Sequence, residues 1–192
     1  MKKFRLFLLA FATIMFPVTM VSCGDDEPEN PEEPTKEDPV PASVKVTQSF
    51  SPSEDFLELY NLSLIYFDGK ENQLIDFSGK KTVEVTYTSF PATFGVTIIP
   101  TLKEGVTEET LTKEQYNLTV DYSHISLEFR DSSGKVIESL SKGNTDLSET
   151  VGYAQAGHKT ALKFGGVKLL KSAYQIEKSG SYSILDNYWE NH

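Results

Sequence analysis

From Thr82 to Thr88 the side chains alternate without a break, Val83, Val85 and Tyr87 against Thr82, Glu84, Thr86 and Thr88. Successive residues of a strand point to opposite faces, so this pattern buries one face and wets the other. A helix, with its 3.6-residue period, would scatter the same residues around its axis. Phe94, Val96 and Ile98 repeat the pattern against Thr93, Gly95 and Thr97. Phe90-Pro91-Ala92 breaks the chain between the two, and Pro100 ends the second strand or marks it as an edge, because proline donates nothing to a ladder.

Other strands are punctuated by turn residues. Val44 and Val46 open the series, and Leu57-Glu58-Leu59 leads into the apolar run Leu62-Ser63-Leu64-Ile65-Tyr66-Phe67, suited to a central strand. Asp68-Gly69-Lys70-Glu71-Asn72 turns the chain back into Leu74-Ile75-Asp76-Phe77. Leu118, Val120 and Tyr122 alternate, but Ile125, Leu127 and Phe129 continue in the opposite phase. A slip of one residue would throw every side chain to the wrong face, so a β-bulge or bend is predicted near Ser123-His124. Asp131 to Lys135 signals a hairpin. Leu162 and Phe164 suggest a strand, with Gly165-Gly166 as a two-residue turn into Val167 and Leu169. Tyr174 and Ile176 lead through Lys178-Ser179-Gly180 to Tyr182 and Ile184. Two stretches are less strand-like: residues 107–115 suit one or two helical turns, and Leu147, Val151 and Ala154 have helical spacing interrupted by Gly152.

About eight to ten short strands in residues 43–192 predict an all-β fold, two antiparallel sheets packed as an immunoglobulin-like β-sandwich, with a closed barrel as the other architecture. At most one or two short helical turns are expected. The predicted core is Leu62, Leu64, Val85, Tyr87, Phe94, Val96, Ile98, Val120, Leu127, Phe129 and Leu162. A single domain of that length buries about 70% of its unfolded surface.

The N-terminus has a different character. Met1-Lys2-Lys3-Phe4-Arg5 is basic, and Leu6 to Ser22 is apolar, uncharged and interrupted by Pro17. The run is short for a membrane span of about 20 residues, and it ends in small residues before the lone cysteine. Residues 1–22 therefore read as a signal peptide. The tetrapeptide Met20-Val21-Ser22-Cys23 resembles the lipobox of bacterial lipoproteins, with methionine where that family prefers leucine. The resemblance implies cleavage before Cys23, a diacylglycerol on its thiol, and the lipid bilayer as a partner. With two or more chains on one residue, at about 0.8 kcal/mol per buried methylene, such an anchor would be nearly permanent.

Residues 23–42 follow as a lipidated cysteine and an acidic, proline-rich linker. Five of the nine prolines and eight of the 28 acidic residues lie between Gly24 and Ala42, with one lysine. Such a composition buries little apolar area and stays extended and solvated. At ~3.1 Å per residue it would reach ~60 Å. The acidic run after Cys23 resembles the surface-export signal of lipoproteins of the Bacteroidota. That resemblance implies display on the outer face of the outer membrane, with its periplasmic face as the alternative.

Chemistry is sparsely signalled. One cysteine excludes a disulfide framework, and a formal charge of −10 argues against nucleic acid as a partner. Loss of Lys2, Lys3 and Arg5 with the signal would take that charge to −13. His124, His158 and His192 have no metal-ligand spacing, and Asp68 to Asn72 and Asp131 to Gly134 are explained as turns rather than calcium loops, so no metal or cofactor is expected. No nucleophile-elbow or phosphate-loop motif occurs, and the Ser-x-x-Lys spacings at Ser78/Lys81, Ser132/Lys135 and Ser139/Lys142 fall in or beside turns. No catalytic residue is assigned.

Tyr182, Tyr188 and Trp189 are the candidate ligand-binding residues. The sole tryptophan is read either as a sugar-stacking platform or as a cap on the end of the sandwich. The function expected is that of a non-catalytic, surface-displayed binding or adhesion module for a glycan or a protein. The alternative is a glycan hydrolase working through an unsignalled pair of carboxylates.

Overall fold

The computed structural model describes residues 38–191. The predicted signal peptide, Cys23, most of the linker and His192 lie outside the described residues. The described chain forms ten strands in two five-stranded antiparallel sheets, the two-sheet all-β sandwich expected from the alternation. The first sheet holds β1 (Ser43–Pro52), β4 (Lys81–Tyr87), β6 (Tyr116–Ser123), β7 (Ser126–Arg130) and β8 (Leu147–Ala156). The second holds β2 (Tyr60–Phe67), β3 (Asn72–Phe77), β5 (Ala92–Leu102), β9 (Leu169–Ile176) and β10 (Tyr182–Ile184), in the order β10-β9-β5-β2-β3.

The pattern that predicted the strands also explains their burial. Val83, Val85 and Tyr87 are buried while their neighbours are exposed or half-buried. Of the eleven predicted core residues, ten are buried, and Leu162 is only partly so. The hairpin turns fall where the polar residues place them. Asp68 accepts from the backbone N–H groups of Lys70 (2.8 Å) and Glu71 (3.0 Å), closing β2 onto β3. Glu177 and Ser181 close β9 onto β10.

The predicted bulge is present. β6 and β7 lie end to end along one edge of β1, Phe50 opposite Tyr122 and Thr47 opposite Ser126. Gln48 and Ser49 of β1 therefore face Ser123, His124 and Ile125, one residue too many. That residue lets both halves of the strand bury their apolar side despite the change of phase.

Three expectations are corrected. Leu162 and Phe164 are not on a strand. Residues His158–Ala161 form a short helix, α2; an earlier one, α1 (Glu54–Leu59), includes the Leu57-Glu58-Leu59 that leads into β2. Gly165-Gly166 makes no hairpin, since Gly166 N–H donates to Pro100 at 2.8 Å and Val167 N–H turns back onto Phe164. The cause is tertiary. The buried Tyr60 hydroxyl donates to the Ala161 carbonyl (2.5 Å) and accepts from Phe164 N–H (3.1 Å), satisfying backbone groups a ladder would otherwise have claimed. Finally, Leu147, Val151 and Ala154 belong to strand β8, not to a helix.

Candidate functional site

The sandwich is open along one side, where β8 ends one sheet and β9 and β10 end the other. Residues that point inward here are not covered, because no further strand stands opposite them. Of the six exposed large apolar side chains among the described residues, four lie on this side: Tyr153, Val167, Tyr182 and Ile184. They border two clefts.

The first cleft, about 270 Å³, is lined by Tyr122, Glu149, Tyr174, Tyr182 and Ile184, with His124 at its rim. Register explains the grouping. Tyr122 faces Glu149 across β6 and β8, and Tyr174 faces Ile184 across β9 and β10. Tyr182 is the diagonal neighbour of Tyr174, and their rings meet edge to face at 6.0 Å. His124 sits in the bulge, with Nε2 3.4 Å from Glu149 Oε1, an ion pair only when the imidazole is protonated. Burial, then the Glu149 carboxylate, then Tyr174 push the Tyr122 hydroxyl above its ordinary pKa. Burial does the same to Tyr174, partly offset by a hydrogen bond with Ser172. Both phenols stay neutral at physiological pH and can donate as well as accept.

The second cleft, about 280 Å³, is formed by Tyr153, Phe164, Val167 and Leu169, with Thr160 and Lys163. Tyr153 meets Phe164 edge to face at 5.2 Å. Both clefts draw on β8 and β9, and a bulge in β9 makes this possible. Ser172 pairs with Val96 but Leu169 pairs with Ile98, so Leu170, at φ 50°, is absorbed as the extra residue and both partners face inward.

The three candidates read from the sequence are not one surface. Tyr182 lines the first cleft and is 50% exposed. Tyr188 and Trp189 instead fold over the outer face of the second sheet, where a Cβ on Gly95 would stand 2.9 Å from Tyr188 Cε1 and 3.2 Å from Trp189 Cζ2. Trp189 is 3% exposed, its Nε1 donates to the Ser172 carbonyl at 2.9 Å, and Lys168 Nζ donates to the Trp189 carbonyl at 2.7 Å. The indole is buried against the sheet face, with no open ring face for stacking and no place at the end of the sandwich. The cleft residues the sequence reading did not single out are Tyr122, Glu149, Tyr174 and Ile184. Tyr122 and Tyr174 signal themselves only as aromatic residues at inward strand positions, which core residues share, and Glu149 and Ile184 carry no local signal.

Two carboxylates do approach each other at Asp55 and Glu58, on α1. Lys113 Nζ bridges them at 2.7 and 2.6 Å, and its hydrogen bond holds Asp55 below the usual carboxylate range. A general acid needs the opposite shift. Each carboxyl group with a resolved shift among the described residues, Asp68, Glu109 and Asp131 included, is likewise lowered. No group of three or more His, Cys, Asp or Glu side chains among the described residues is placed to hold a metal ion. No protein-family model and no curated protein matches this chain.

Proposed function

We propose that the protein is a lipid-anchored lipoprotein of the bacterial outer membrane, displayed at the cell surface through acylated Cys23, and that its sandwich is a non-catalytic binding module. The observation that carries the binding reading is the gathering of exposed apolar and aromatic side chains along one open side, flanked by neutral phenols. Monomeric surfaces rarely leave contiguous apolar area uncovered unless something docks there. The anchor reading is supported by the lipobox-like tetrapeptide and the acidic linker. Tyr122, Tyr174 and Tyr182 supply amphipathic rings that suit a glycan or a polypeptide equally.

A glycan array and a cell-surface pull-down with the purified protein test the module. Binding that Tyr182→Ala or Ile184→Ser weakens at least tenfold supports the reading; binding that neither variant changes overturns it. Mass spectrometry of the native product tests the anchor. A free thiol at Cys23, or a retained leader, overturns it.

A further inference from the structure

The first sheet ends in β8, whose partner on one side is β6 and which has none among the described residues on the other. At ten residues it is the longest of the strands that have a single strand partner among the described residues. Edge strands are usually guarded by lysine, proline or shortness. β4 carries Lys81 and Glu84, and β10 is three residues long; β3 has neither lysine nor proline, but it lies at the far end of its sheet from the seam. β8 has no proline and no cation, and Glu149 is its one charge. Its register with β6 keeps step from Glu149 to Tyr153 and shifts beyond those limits, with Gly152 at φ 115° the one departure from extended backbone inside that span. The span in register is five residues, about 17 Å of free edge.

This free edge runs directly beside the apolar seam. Glu149, Val151 and Tyr153 share the inward face of β8, with Glu149 in the first cleft and Tyr153 in the second. A strand laid against β8 would place alternate side chains over the same seam, and residues four apart, about 14 Å, would reach the two clefts in turn. We infer that β8 and the adjoining seam bind an extended polypeptide segment of a partner protein by strand addition, with a Lys or Arg opposite Glu149 and an apolar side chain beside Tyr153. The inference rests on reading the open side as the binding surface, and it names the class of ligand.

Charge and composition select this occupant over the others. The protein's own segment from Gly24 to Ala42 has five prolines, which cannot complete a ladder, and eight acids, which would oppose Glu149. A second copy brings another β8, which offers Glu149 no cation, on a chain whose formal charge is also −10. A sugar provides no row of amides to match the edge. A basic, alternating peptide satisfies the backbone, the clefts and the charge together.

The probe is a phage-displayed library of random dodecapeptides panned on the purified protein, with enriched sequences resynthesised for anisotropy and hydrogen-exchange measurements. The expected consensus alternates apolar residues with Lys or Arg and lacks internal proline. Its binding should slow exchange at least tenfold at those amides of residues 149–153 that point away from β6, and N-methylation of alternate peptide amides should abolish it. Tyr153→Lys should weaken it at least tenfold, and Glu149→Lys should shift the selected peptides from basic to acidic. Absence of enrichment, protection elsewhere, or insensitivity to N-methylation overturns the inference. So does a concentration-dependent dimer that protects residues 149–153 without peptide. If no peptide binds while a glycan does and Tyr182→Ala abolishes that binding, strand addition falls and the binding-module reading stands. If neither ligand binds, both fall.

Discussion

Gln48 Nε2 donates to the carbonyl oxygen of Ser123 at 2.9 Å, from a fully buried side chain in β1 across the bulge between β6 and β7. Ser123 returns the contact, its Oγ accepting from Ser49 N–H at 3.0 Å. The extra residue opens the ladder, and these two side chains close it. Left unpaired, each buried backbone group would cost about 1–3 kcal/mol.

Gln48→Ala and Ser123→Ala should therefore each lower the unfolding free energy by about 1–3 kcal/mol. The double variant should lose less than the sum, because both act on one bulge. Urea denaturation of the four proteins measures this. Strict additivity would show that the two contacts do not share a structural unit.

Tyr60→Phe removes the hydroxyl that serves both Ala161 and Phe164. It should destabilise the fold by about 1–3 kcal/mol. Hydrogen exchange should also speed up first in residues 157–169 rather than across the sheets. Since Phe164 forms part of the second cleft, peptide binding at that end should weaken too. Uniform acceleration across the domain would contradict a local role.

Gly95→Val pushes a side chain into Tyr188 and Trp189 on the outer face of the second sheet. The sole tryptophan should move toward water, and its fluorescence should shift to the red while the far-ultraviolet circular dichroism stays unchanged. An unchanged emission maximum would mean that the C-terminal segment tolerates the added bulk.

Asp55 is held below the ordinary aspartate value of 3.8, chiefly by its hydrogen bond to Lys113. A lowered folded pKa means that the carboxylate stabilises the fold above about pH 4, and that the contribution disappears as pH falls through the folded value. Acid should thus destabilise the wild type more steeply than Asp55→Asn. Denaturation midpoints measured between pH 6 and 2 check the sign, and parallel curves would remove Asp55 from the account.

Much of the sandwich was legible because a period of two is a local property. Val83, Val85 and Tyr87 needed no knowledge of β1 to be assigned to a buried face, and the change of phase between Tyr122 and Ile125 located the bulge before any partner strand was known. The strand and turn read over residues 161–167 do not form, because the Ala161 carbonyl and the Phe164 N–H are satisfied by Tyr60, about a hundred residues earlier in the chain. Trp189 was assigned by its size to an end of the sandwich or to a ligand, while the small Gly95 on a distant strand decided which face would receive it.

The amino-acid sequence by itself determined that strands would form, which side of each would be apolar and where the chain would turn, since those depend on neighbours one to four residues away. Only the tertiary structure decided which strand would be last in its sheet. Glu149, Val151 and Tyr153 point inward like any core residues, yet they border a groove because β8 has a neighbour on one side alone among the described residues. An edge is a property of pairing between distant segments. Whether an inward-facing tyrosine becomes core or binding surface depends on the strand that does or does not stand opposite it.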